Sequence, residues 1–178
     1  MSSVFSHRDP PPFPTNDYRK YRPALREDFH HCCAYCLLPE LFAAGESNFE
    51  IDHFRPKSLP RFFHLINEYT NLYYSCHPCN HSKHKYWPSE KLEREGYTFV
   101  DMCKDSFSTH FRDNDGIWEP LTNAGKYTIE RLRLNKDDLV ELRRYIADMR
   151  KDSGAPPLNW DSPSHDQIRG RRPVESQS

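Results

Sequence analysis

Two short cysteine pairs, Cys33-Ala34-Tyr35-Cys36 and Cys76-His77-Pro78-Cys79, constrain this chain more than any other feature. In each C-x-x-C a tight turn points two thiolates at one tetrahedral Zn²⁺, and two such pairs close one Cys₄ site. The gap from Cys36 to Cys76 exceeds the usual zinc-ribbon spacing, so the segment between them must fold and return to the first knuckle. Cys32 to Cys36 also spans a knuckle, but Cys33 matches the spacing of the second pair and is the favoured ligand. Cys32 and Cys103 read as buried small apolar residues. Disulfides or redox dithiols are the competing reading. Against it, residues 1–9 lack the apolar run of a signal peptide, and neither pair sits in a thioredoxin-like βαβ pattern. Four thiolates leave no open position for water, so the expected zinc is structural.

A stapling metal suits a chain with so small a core. Apolar residues make up 36% of the 178 residues and charged residues 29%, with 15 prolines against 6 glycines. That composition predicts one modest domain with much loop, which metal coordination can supplement. The formal charge is −1, from 25 Lys+Arg against 26 Asp+Glu, so any cationic surface must be local. No apolar stretch approaches the ~20 residues of a membrane helix, and a cytoplasmic protein is expected. Residues 1–16, with Pro10-Pro11-Pro12 and Pro14, read as a proline-rich tail or arm. Residues 17–151 read as one domain, and 152–178 as a polar, largely disordered tail.

Periodicity places elements within that domain. Residues 23–31 predict a short helix leading into the first knuckle, with Leu25 and Phe29 four apart. The start of residues 49–54 alternates as a strand, ending near Arg55-Pro56. The aromatics of 62–74 are expected to pack over the zinc site. A helix is predicted over 80–86, strands over 97–100 and 117–119 with Asn114-Asp115-Gly116 as a turn, and helices over 128–134 and 136–151. In the last helix Leu139, Leu142, Ile146 and Met149 make an apolar face, while Arg143, Arg144 and Arg150 read as its solvated side.

Three further motifs lie between and after the knuckles: Ile51-Asp52-His53-Phe54-Arg55-Pro56-Lys57, Asn71-Leu72-Tyr73-Tyr74-Ser75, and Cys79-Asn80-His81-Ser82-Lys83. Their order resembles the zinc-containing branch of the HNH endonucleases. The resemblance covers residues 33–87 and implies an α+β protein with a small ββα-metal, treble-clef-like nuclease core, flanked by helices and disordered termini. It implies His53 as general base, Asp52 and Asn80 as ligands of a catalytic Mg²⁺ or Mn²⁺, and Asn71 as the residue that orients the His53 loop. Many members carry histidine where this chain has Asn80; an amide oxygen favours hard cations. Lys83 falls at a phosphate-facing position, and Arg55, Lys57, Arg61, Lys83 and Lys85 would form a cationic rim. His77, His81 and His84 read as surface or phosphate-contacting groups. Hydrolysis of a phosphodiester needs a deprotonated water and a cation on the developing charge, which neutral histidine and hard oxygen ligands respectively suit.

The same segment is similar to small HNH effectors of bacterial anti-phage systems, such as the HNH subunit linked to the Septu and retron ATPase. This implies DNA, with RNA as the alternative, as substrate, and an ATPase or sensor subunit as partner. A zinc module that binds nucleic acid or protein without catalysis is the reading from another class. Such a scaffold needs the cysteines but has no use for Asp52, His53 and Asn80 together.

Overall fold

The computed structural model describes residues 3–163. Its centre is a two-stranded antiparallel hairpin followed by a short helix. Strand β1 (Phe49–His53) pairs with β2 (Leu72–Cys76), with Phe49 opposite Cys76, Ile51 opposite Tyr74 and His53 opposite Leu72. Helix α1 (Arg22–Asp28) precedes this unit, and α2 (His77–Lys83) leaves directly from β2. Helix α2 starts three residues before the predicted 80 because Pro78 sits in its first turn, where its missing N–H costs no hydrogen bond. The second cysteine pair therefore straddles the junction between strand and helix.

The first knuckle is placed by the turn after α1. His30 and His31 both adopt positive φ, 51° and 60°, which reverses the chain at the helix end. Within the knuckle the Leu37 N–H donates to the Cys33 carbonyl at 3.0 Å. The Ala34 N–H donates to the Tyr74 carbonyl at 2.8 Å, fastening the knuckle to β2. This contact explains how a long insertion closes on itself: the hairpin made by β1 and β2 carries the chain back to the starting point.

Aromatic packing makes the core around that hairpin. Tyr73 is buried with Phe54 at 4.8 Å and Phe29 at 5.4 Å between ring centroids, and Phe49 stacks on Tyr74 at 4.7 Å. The tyrosine hydroxyls do not go unsatisfied: Tyr74 donates to Glu40 at 2.6 Å, and Tyr73 donates to Asp101. Glu40 also takes a bidentate pair from Arg26, at 2.7 and 2.8 Å. Of the aromatics in 62–74, Tyr69, Tyr73 and Tyr74 are buried as expected for core, whereas Phe63 is exposed.

Downstream come α3 (Glu90–Arg94), α4 (Phe107–His110), the hairpin of β3 (Phe111–Asn114) and β4 (Ile117–Pro120), α5 (Asn123–Leu132) and α6 (Asp137–Asp152). The turn at Asp115-Gly116 has positive φ at both residues, 50° and 78°, the two-residue geometry that matches strand twist. A Cβ on Gly116 would also lie 2.8 Å from the Val140 carbonyl oxygen, so α6 packs too closely for another residue.

Three expectations need correction. Residues 97–100 are not a strand: β4 pairs with β3, and the Val100 N–H is taken by Thr128 Oγ1 at 2.8 Å. Helix α5 begins at Asn123 rather than 128, because Thr122 caps it by accepting from the Gly125 N–H at 3.0 Å. Arg143 and Arg150 are not on a solvated face; they are 1% and 5% exposed. The described parts of the two flanking segments are better tied than their composition predicts. Val4 and Phe5 are buried, so the N-terminal segment is an arm laid on the core. Trp160 packs on Trp118 at 5.5 Å and donates to Asp113 at 2.6 Å, and the rest of the expected tail, 164–178, lies outside the described residues. No helix among the described residues is long and apolar enough to cross a membrane.

Candidate metal centre and active-site cleft

The two knuckles meet. The sulfurs of Cys33, Cys36, Cys76 and Cys79 all lie within 4.8 Å of one another, and all four residues are buried. All six cysteines are free thiols, which removes the disulfide reading. Cys32 faces away and donates to the His30 carbonyl at 3.4 Å, so Cys33 is the member of the cluster. The set fits Zn²⁺ on its chemistry. Burial opposes ionisation of Cys33, but the hydrogen bonds from Cys36, Cys76 and Cys79 outweigh it and lower its pKa. Cys76 and Cys79 are pushed up, first by Cys33. Four thiolates gathered in one buried pocket require a cation.

Across the hairpin, one cleft of about 380 Å³ is lined by Glu50, Asp52, His53, Lys57, Asn80, His81, His84 and Lys85, among others. Strand β1 supplies Glu50 and Asp52, which share a face because strand side chains alternate. Helix α2 supplies Asn80 from its first turn. The cysteine cluster positions both elements, since Cys76 ends β2 and Cys79 adjoins Asn80.

His53 is 5% exposed, and its Nε2 lies 2.9 Å from the Ile66 carbonyl oxygen. A carbonyl only accepts, so Nε2 carries the proton and Nδ1 keeps its lone pair. Burial lowers the His53 pKa against the opposing Ile66 contact, so the ring is neutral near pH 7. Tyr18 meets its face edge-on at 4.6 Å. Asn71 closes the loop behind it: the side chain accepts from Arg55 N–H at 2.9 Å and donates to the Arg55 and Leu65 carbonyls at 3.1 and 3.3 Å. This three-way contact spans both ends of the segment between the strands.

Asp52 is nearly buried, with Tyr35 donating to its Oδ2 and Lys83 Nζ at 2.9 Å from the same oxygen. Among the described residues Oδ1 has no protein partner. Lys83 is fully buried, and its Nζ also donates to the His53 carbonyl at 2.8 Å. The expectation that Lys83 faces a phosphate is therefore corrected: on α2 it lies three residues beyond Asn80 and points inward beneath the cleft. Arg55 does not line the cleft either; its guanidinium lies over Trp87, 5.9 Å from the ring centroid. Arg61 is paired with Glu93 at 3.0 Å. Lys57 and Lys85 line the cleft, with Lys57 Nζ donating to Tyr18 Oη at 2.7 Å.

Sequence reading missed Glu50. Its carboxylate accepts from Asn80 Nδ2 and lies 3.0 Å from His77 Nδ1. Burial opposes ionisation, but the His77 and Asn80 contacts hold its pKa below the usual carboxylate value. A carboxylate accepts only, so Glu50 fixes the NH₂ of Asn80 toward itself and leaves the amide oxygen for another partner. The period-two spacing to Asp52 was the signal that placed Glu50 on this face.

Comparison with known proteins agrees with this geometry. Residues 33–86 match the family model for HNH endonuclease. The chain is also 26% identical, over 145 aligned residues, to the Septu protein PtuA of Bacillus mycoides (strain KBAB4). That alignment covers 68% of this chain, which spans 20% of the length of that relative. No solved structure matches the chain. A β-hairpin and helix beside a four-cysteine cluster, with the aspartate-histidine pair at the end of the first strand and an asparagine on the helix, lie within residues 33–86, the stretch that is similar to HNH endonucleases.

Proposed function

We propose that the protein is a metal-dependent endonuclease that hydrolyses phosphodiester bonds of DNA and acts in the cytoplasm as an anti-phage defence effector. One observation carries the reading: His53 is held by Nε2 with its basic Nδ1 unengaged, in the same cleft as the oxygens of Asp52 and Asn80. His53 would take the proton of the attacking water through Nδ1. Asp52 through Oδ1 and Asn80 through its amide oxygen would hold Mg²⁺ or Mn²⁺, a donor set that fits hard cations. A cation there supplies stabilisation of the charge that builds on the phosphate and the leaving oxygen. Asn71 keeps the loop bearing His53 in register with β2. Lys57 and Lys85 would meet the phosphate backbone, while Arg55 and Lys83 support the site from behind and below.

The defence role is supported by similarity to a Septu protein, and an ATPase or sensor subunit as partner extends that likeness. The test is plasmid nicking by the purified chain with Mg²⁺. His53→Ala should abolish nicking with zinc content and folding unchanged, because His53 lies outside the cysteine cluster. Equal activity in wild type and His53→Ala would refute the assigned chemistry, and preferential cutting of an RNA competitor would replace DNA as the substrate.

A further inference from the structure

A second cavity, of about 580 Å³, lies between α6, the turn joining β3 to β4, and the segment 154–158. It shares no lining residue with the cleft that holds His53. Two arginines from one face of α6, Arg143 and Arg150, sit in its wall and are almost completely buried. Neither is ion-paired among the described residues. Arg143 lies flat on Trp118, 3.9 Å from the ring centroid, and Nη1 donates to the Gly116 carbonyl at 2.9 Å. Its Nε and Nη2, the fork that binds an oxyanion in bidentate fashion, have no partner. Arg150 gives Nε and Nη2 to the Pro156 carbonyl at 2.8 and 2.5 Å, and its Nη1 has no partner.

Of the acidic groups in this cavity, Asp113 acts electrostatically on Arg143 without forming an ion pair with either arginine. Asp113 accepts from Gly116 N–H at 2.8 Å and from Trp160 Nε1 at 2.6 Å. Asp115 is paired with Arg144 at 3.1 Å, and Asp148 is an exposed residue of the lining, as is Lys151. Burial pushes the Arg143 pKa down to about 10, so the guanidinium stays charged near neutral pH. Buried guanidinium N–H groups without an acceptor are costly, and two such arginines in one wall call for an oxyanion. The cavity volume falls in the range of small-ligand sites.

We infer that this cavity is an anion site in which Arg143 and Arg150 bind a phosphate group, carried either by a free phosphorylated compound or by the backbone of a nucleic acid. The test uses the full chain, zinc-loaded and without Mg²⁺, titrated by calorimetry at constant ionic strength. Inorganic phosphate and adenosine monophosphate form one arm, and a short single-stranded DNA the other. Saturable binding in the first arm identifies a free phosphate source; binding confined to the oligonucleotide identifies the backbone. In the arm that binds, Arg150→Met should weaken affinity about tenfold, on the scale of one lost charge-assisted hydrogen bond. Arg150→Lys should weaken it less. Should Arg143→Met fail to fold, the two Arg150 variants, checked by circular dichroism, still decide the matter. No binding in either arm, or equal affinity in wild type and Arg150→Met, would overturn the site.

Discussion

Replacing Lys83 by methionine should destabilise the zinc-loaded protein by about 3–5 kcal/mol, the cost of breaking one side of a buried ion pair. Lys83 is fully buried, with its Nζ 2.9 Å from Asp52 Oδ2, 2.8 Å from the His53 carbonyl and 5.6 Å from the centroid of Phe99. Methionine retains most of the volume but leaves the Asp52 carboxylate buried with Tyr35 as its remaining donor. In a chain of this size each kcal/mol moves Tm by roughly 2–4 °C, so a fall of about 6–20 °C is expected. Thermal unfolding followed by circular dichroism, in buffer holding free zinc constant, reads it. The double variant Asp52→Asn with Lys83→Met should recover much of the loss, since it removes the stranded charge. A cost below about 1 kcal/mol for Lys83→Met, the scale of an exposed pair, would refute the burial argument. So would a double variant whose losses simply add.

Further outcomes follow from the cluster, the cleft and the core. Cys76→Ser should lose bound zinc and thermal stability, whereas Cys32→Ser should keep both; elemental analysis of the purified chains separates them. Glu50→Ala should weaken Mn²⁺ binding measured by electron paramagnetic resonance, because Asn80 is then free to turn its NH₂ toward the cleft; unchanged affinity would count against Glu50 as a positioning residue. The Glu40 pKa lies below its ordinary 4.5: burial raises it, and Arg26 and Tyr74 overcome that effect. A lowered carboxyl pKa contributes stability above the unfolded value that is lost as pH falls through the folded one. Glu40→Gln should accordingly flatten the difference in Tm between pH 7 and acid, relative to wild type under the same zinc concentration.

Much of the site was legible because its residues carry their signal locally. The pairs Cys33/Cys36 and Cys76/Cys79 announce a shared metal by spacing alone, and Asp52-His53 with Asn80 announce a cleft by residue type and order. The β1–β2 hairpin followed by α2 was expected from the same motifs. Other features depend on partners distant in sequence. A lysine on a short helix and an arginine on a long amphipathic one read as solvent-facing, since a single helix does not reveal what packs against it. Lys83 is buried because Asp52 and the His53 carbonyl arrive from β1, and Arg143 because Trp118 arrives from β4. Residues 97–100 had the composition of a strand, but β4 takes β3 as its partner, which a two-residue turn delivers directly.

By itself the sequence determined that this chain closes a four-cysteine site and carries an aspartate, a histidine and an asparagine in HNH order, because metal-ligand and motif spacings are properties of the local chain. Only the tertiary structure decided which cysteine of the Cys32-Cys33 pair joins the cluster, which nitrogen of His53 is basic, and that Glu50 turns the Asn80 amide. Those outcomes rest on a carbonyl from Ile66 and on a carboxylate brought across from β1. Hydrogen-bond direction is set by the partner that folding supplies, and no local pattern encodes it.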